Sequence, residues 1–286
     1  MEAVHEIIRG VLLPARAAWL IYFTPSLLVW SLLPVLAVAL VLLVLFLCGI
    51  GTIDITRRLI WMALEYAGFD TSETHSWTGL AGMGVTTVLA LVIILIVLVT
   101  LYYVFVLLST TIASPFLSIL SNTVEEYVIE TEYLGPSTKL VAALIPKHPT
   151  DFRSQLNANV YIVGQEILAA LVYVSLSLAL LFMTLFPLVA PVTAALQWCL
   201  TCFFALHNLS AYVCERRMLS FRQRVRMYAR RWAVCAGFSS VAACIMLVPV
   251  LNLLALPTLV VSATLLVMTM EAERLAEHQI RDTKQE

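Results

Sequence analysis

Charged residues are missing from four long stretches of the chain, and these gaps set out its organisation. Residues 26–50, 76–124, 167–214 and 232–270 contain no Asp, Glu, Lys or Arg. A helix needs about 20 apolar residues to cross roughly 30 Å of hydrocarbon. The first stretch, 25 residues long, fits one crossing. In the second, Gly79, Gly82 and Gly84 weaken the start and Ser114-Pro115 punctuates the end. That leaves one crossing over 85–113, with its helix running on toward Glu125. Pro115 lacks an N–H, and Ser109, Thr110 and Thr111 offer hydroxyls to the carbonyls it frees.

The third and fourth stretches read as helical hairpins. The third has 48 residues, with Pro187 and Pro191 near its middle. The fourth has 39, with Pro249, Asn252 and Pro257 at its centre. Two full crossings use at least about 40 apolar residues plus a turn. The fourth is too short, so its tip is expected to stop within the bilayer, and the third is borderline. Irregular backbone at that depth survives only where protein or water covers it. A packed or hydrated interior where the tips meet follows from this.

The connecting segments are amphipathic. Val4, Ile7, Ile8, Val11 and Leu12 recur at helical spacing, which predicts an interfacial helix over 1–22 whose stripe runs to Pro14. In the outer segment, 51–78, Ile55, Leu59, Met62 and Tyr66 form a similar stripe. Segment 125–166 and tail 271–286 complete the other side, and 1–286 reads as a single membrane domain. Over 215–231, Met218, Phe221, Val225 and Tyr228 lead to Trp232 in a stripe edged by Arg216, Arg217, Arg222, Arg224, Arg226, Arg230 and Arg231. Anionic lipid headgroups are a sufficient partner for these arginines, at about 1 kcal/mol per nearby basic residue. Nucleic acid is not expected as a partner.

Composition agrees with the bilayer as solvent. The chain is 61% hydrophobic and 12% charged, with a mean hydropathy of +0.94. A soluble domain carries about 25% charged residues. The first uncharged stretch is too long for a signal-peptide core. Charge then orients the chain. With cytoplasmic termini, two crossings and two hairpins that return to their starting side, only Arg57 and Arg58 of the 17 basic residues face outward. The positive-inside rule prefers this solution. A single crossing by the third stretch would turn the seven arginines of 215–231 outward. The expected fold is therefore all-α and polytopic, with two long transmembrane helices, two proline-tipped, partly re-entrant hairpins and interfacial helices.

Little in the sequence suggests chemistry. The six cysteines, including Cys199-x-x-Cys202, lie in or beside apolar segments and read as small buried hydrophobes rather than metal ligands or disulfides. No phosphate loop, HExxH, nucleophile elbow or paired-acid constellation is present, so neither an enzyme nor a cofactor is expected. Three polar positions stay open. Glu125, beside Glu126, is either a solvated helix end or the acceptor of an internal ion pair with an arginine of 215–231. His207, beside Asn208, is either a proton or anion contact or a side chain reaching for headgroups. Asn252 either bonds the freed backbone of its own turn or lines a pore, because an unpartnered polar group in lipid is costly.

Several motifs together resemble a known family. They are Trp19-x5-Pro25-x8-Pro34, Ala113-Ser114-Pro115-Phe116 with Val124-Glu125, and Arg216-Arg217-x3-Phe221. Most specific is the run from Val248-Pro249 through Asn252 to Pro257, with its Ser262-Ala263-Thr264 tail. From about Arg16 to Glu271 the chain is similar to the CysZ sulfate permeases and the related etoposide-induced-protein membrane family. The resemblance implies sulfate or small-anion uptake across a bacterial inner membrane without an ATP-binding domain. Oligomerisation would supply a pathway that one chain lacks. It also implies an anion site where the permeases carry Gly-apolar-Arg, after the proline that opens the first crossing. Here those positions read Ser26-Leu27-Leu28. Helix N-terminal N–H groups and the Ser26 hydroxyl are available to an anion, with Arg16 as the substitute cation if the chain folds back. A second class of function, a non-transporting structural or interaction protein of the same fold, follows from the missing arginine.

Overall fold

The protein is described from a computed structural model over residues 2–40, 43, 44, 47, 58, 113–133 and 152–282. Every regular element among the described residues is an α-helix. They are α1 (Glu2–Phe23), α2 (Pro25–Leu40), α3 (113–130), α4 (Phe152–Met183), α5 (Ala190–Arg216), α6 (Phe221–Arg230), α7 (Trp232–Met246) and α8 (Pro249–Asp282). Among the described residues, three helices are long and apolar enough to cross a membrane: Glu166–Met183 of α4, α5, and Leu254–Glu277 of α8. The chain is an all-α polytopic membrane protein. Most of the outer segment, the second crossing before 113, and residues Lys139, Lys147 and Lys284 lie outside the described residues.

Two compact units are distinguished. One comprises 1–32 and 116–286, and the other 33–115. In the first, α1 packs mainly on α7 and also on α8. The N-terminal helix runs on beyond its apolar stripe. It continues through Pro14, and its buried face is Gly10, Leu13, Pro14, Ala17, Leu20 and Ile21. The apolar stripe faces outward, with Val4, Ile8, Val11 and Leu12 all exposed. Glycine explains which face wins. A methyl group on Gly10 would overlap the Val234 carbonyl, and one on Gly237 would overlap that of Ile7. Only glycines let these two backbones approach so closely.

Thr24 alone separates α1 from α2, and the two helix axes differ by 108°. A residue before proline is pushed out of the helical region, whereas proline itself suits the first helical position. Thr24-Pro25 thus ends one helix and starts the next.

The first hairpin turns over 184–189, with Pro187 in the turn and Pro191 in the first turn of α5. Its tip is bare, Leu188 being 98% exposed. The second hairpin is asymmetric. α7 has 15 residues, a length of about 22 Å at 1.5 Å per residue, short of the hydrocarbon thickness. Its turn is Leu247-Val248, ahead of the expected centre. Pro249 starts α8 and Pro257 lies within it. Leu259, Val260, Val261, Ala263, Val267 and Met268 of that helix are fully buried. Such packing offsets the backbone bond that Pro257 removes.

Candidate functional site

α5 ends in a tight reversal that aims two arginines inward. Leu219 donates its N–H to the Cys214 carbonyl and Met218 to that of Glu215, both at 2.9 Å. Met218 occupies the left-handed region at φ 53°. Together these form the paired-bond cap that usually carries glycine at this position. A side chain with positive φ costs energy, so the bonds around it must hold it.

Arg216 and Arg217 close on Glu125 of α3. The Glu125 Oε2 accepts from Arg216 at 3.1 Å and Oε1 from Arg217 Nη2 at 3.0 Å. Arg216 also donates to Ser121 Oγ at 2.8 Å and to the Ser118 carbonyl. Ser121 in turn shares a 2.9 Å hydrogen bond with Thr264 of α8. Arg217 reaches Glu271 of α8 with Nη1. Glu125 and Arg217 are both buried. Burial pulls the Arg217 pKa down, and the Glu125 carboxylate opposes the shift.

A second group lies between α4, α5 and α6. Glu166 takes Arg224 Nη1 on Oε1 at 2.6 Å and His207 Nε2 on Oε2 at 3.1 Å. Arg224 also donates to the Leu219 carbonyl at 3.0 Å. Arg224 is 2% and His207 1% exposed. His207 Nδ1 is buried with no hydrogen-bond partner, and Phe203, Phe204 and Phe221 surround its ring. Nearby, Ser210 bonds the Tyr228 hydroxyl at 2.6 Å, and burial pushes that phenol well up. In the third group, Arg231 meets Glu6, Glu273 and Glu277, and Arg9 meets Glu273 at 2.9 Å.

These contacts fasten the start of α1, the end of α3, the start of the apolar half of α4 and the ends of α5 and α8 at one end of the bundle. The two ends of each hairpin therefore lie close together. One crossing by the third stretch would put Glu166 and Arg224 on opposite sides of the bilayer.

The expected site residues divide sharply. Glu125 is an internal acceptor, not a solvated end. His207 is buried on Glu166 rather than reaching for headgroups, while Asn208 is exposed. The Asn252 Oδ1 is buried without a hydrogen-bond partner among the described residues. Arg224 and Arg217 leave the membrane-surface set because their guanidiniums have carboxylates to enter with. Arg222, Arg226 and Arg230 are exposed. Ser26 is exposed, Leu27 is fully buried, and Leu28 is 37% exposed. Arg16 instead lines a cavity of about 60 Å³ with Arg9 and Arg231.

Glu166, Glu271, Ser121 and Thr264 had not been singled out. A signal for the acids was present. Glu125, Glu166, Glu215 and Glu271 each directly adjoin the end of an uncharged stretch that the ion pairs gather. Among the described residues the cysteines are free thiols, and no three His, Cys, Asp or Glu side chains converge on a metal position.

A family model described as "Sulfate transporter CysZ/Etoposide-induced protein 2.4" matches residues 14–257. That span holds the Glu125 and Glu166 groups and stops short of Glu271 and the α8 terminus. No curated protein matches the chain.

Proposed function

The chain belongs to the sulfate transporter CysZ/etoposide-induced protein 2.4 family, and from that membership we propose that it is a permease or channel for sulfate or another small oxyanion. The family match over most of the chain carries this reading. The protein sits in a bacterial inner membrane with both termini cytoplasmic, works as a homo-oligomer and catalyses no reaction. Its anion route passes the Thr24-Pro25 break, where the first N–H groups of α2 have no intrahelical acceptors. Those donors and the helix dipole favour an anion. The exposed Ser26 hydroxyl adds a further donor.

Ser26-Leu27-Leu28 favours a second reading, a family member that keeps the fold and has lost transport. A divalent oxyanion without a guanidinium fork loses its charge-assisted, bidentate partner. Sulfate flux into proteoliposomes separates the two, with the native chain beside Leu28→Arg. Flux by the native chain supports the permease. Flux by the variant alone, or by neither, assigns the native protein to the non-transporting class.

A further inference from the structure

Between α6 and the C-terminal part of α8 lies an open cavity of about 720 Å³. Arg226, Arg230 and Arg231 line one side, and Glu271, Arg274 and Glu277 line the other. Both acids are already engaged, Glu271 by Arg217 and Glu277 by Arg231. Arg231 is further held by Glu6 and Glu273. The remaining cations, Arg226, Arg230 and Arg274, are exposed and have no ion-pair partner among the described residues. Three uncompensated guanidiniums thus converge on one hollow. Like charges placed together repel, and nothing in the bundle requires them to stand there.

The remaining lining narrows the ligand. Leu219, Met227 and Met270 give the cavity an apolar component. Its volume lies in the range of about 300–1,000 Å³ that suits an organic molecule rather than a bare ion. Guanidinium forks match phosphate oxygens in pairs. Trp232, next in the chain after Arg231, is 59% exposed. An exposed tryptophan beside basic residues suits headgroup depth.

We propose that this cavity is a binding site for a phosphate group carried by the headgroup of an anionic phospholipid. Arg226, Arg230 and Arg274 grip the phosphate, and Met227 and Met270 pack the glycerol side. The site does not depend on transport. It differs from a diffuse attraction of α6 to the membrane, because exposed Arg222 on the same helix does not line the cavity.

The test uses the full chain in nanodiscs of phosphatidylcholine, with and without phosphatidylglycerol. Retained lipid is counted by native mass spectrometry, and a titration gives its affinity. The native chain and R222A are expected to retain phosphatidylglycerol equally. R226A/R230A/R274A is expected to bind about 100-fold more weakly, roughly fivefold per arginine. Undiminished binding by the triple variant, or an equal loss in R222A, overturns the proposal. Inorganic phosphate in detergent separates the sources. Displacement of phosphatidylglycerol by phosphate at comparable concentration overturns the lipid and assigns the site to a free anion. If the triple variant does not fold in phosphatidylcholine, R226A, R230A and R274A are tested singly. Each is then expected to lose about fivefold, and native affinity in all three again overturns the site.

Discussion

Glu166–Met183 of α4 and Leu254–Glu277 of α8 have mean hydropathies of 2.2 and 1.7, yet 6% of the first window and 67% of the second are buried inside the protein. The more apolar helix is the one left outside. In lipid this is reasonable, because a leucine gains little by exchanging acyl chains for another helix. What draws a helix inward is small residues and polar partners. α8 offers Ser262, Ala263 and Thr264, all at 0% exposure, and the Thr264 hydroxyl meets Ser121. α4 presents Leu171, Val174, Leu178 and Leu181 outward. Its charged attachment is at the first residue of the apolar window, Glu166.

Four substitutions test this contrast, from the largest effect to the smallest. Arg217→Ala removes a buried cation from Glu125 and Glu271 and should lower unfolding free energy by about 3–5 kcal/mol. Reversible denaturation in mixed micelles measures it, and a loss below about 1 kcal/mol would mean the α8 end is not held by charge. Glu166→Ala leaves Arg224 buried without a carboxylate. The same assay should record a loss of about 1–3 kcal/mol, which makes the apolar half of α4 anchored at Glu166 rather than unattached. Thr264→Val removes one interhelical hydrogen bond and should cost about 0.6 kcal/mol. Leu178→Ala, on the lipid face, should change stability by less than about 0.5 kcal/mol. If it costs as much as Glu166→Ala, the α4 face is covered in the native assembly and the contrast fails.

Much of the fold was legible in the chain. The third and fourth uncharged stretches marked two hairpins, and the Glu166–Arg224 and Arg217–Glu271 pairs bring the ends of each together. The turn over 184–189 follows from Pro187 and Pro191. The second turn was misplaced because Pro249, Asn252 and Pro257 carry the same local signal, yet Pro249 opens a helix and Pro257 is carried within it. The stripe of α1 faces outward, and the face that packs on α7 was not read from it. In a bilayer an apolar stripe can face lipid, so hydrophobic periodicity alone does not mark the core, and Gly10 was the better signal. The arginines of 215–231 were visible as a set. Their division into buried Arg217 and Arg224 and exposed Arg226 and Arg230 was not, because it depends on carboxylates far away in sequence.

By itself, then, the sequence determined that this is an all-α membrane protein with two hairpins, since hydrocarbon excludes charge wherever it occurs. Only the tertiary structure decided that α8 is central and α4 peripheral. It alone decided which arginines are spent on Glu125, Glu166 and Glu271, and which remain free around the cavity. The physical reason is that span length and charge placement are properties of one segment against a uniform solvent, whereas close helix packing and ion pairing are properties of two segments at once.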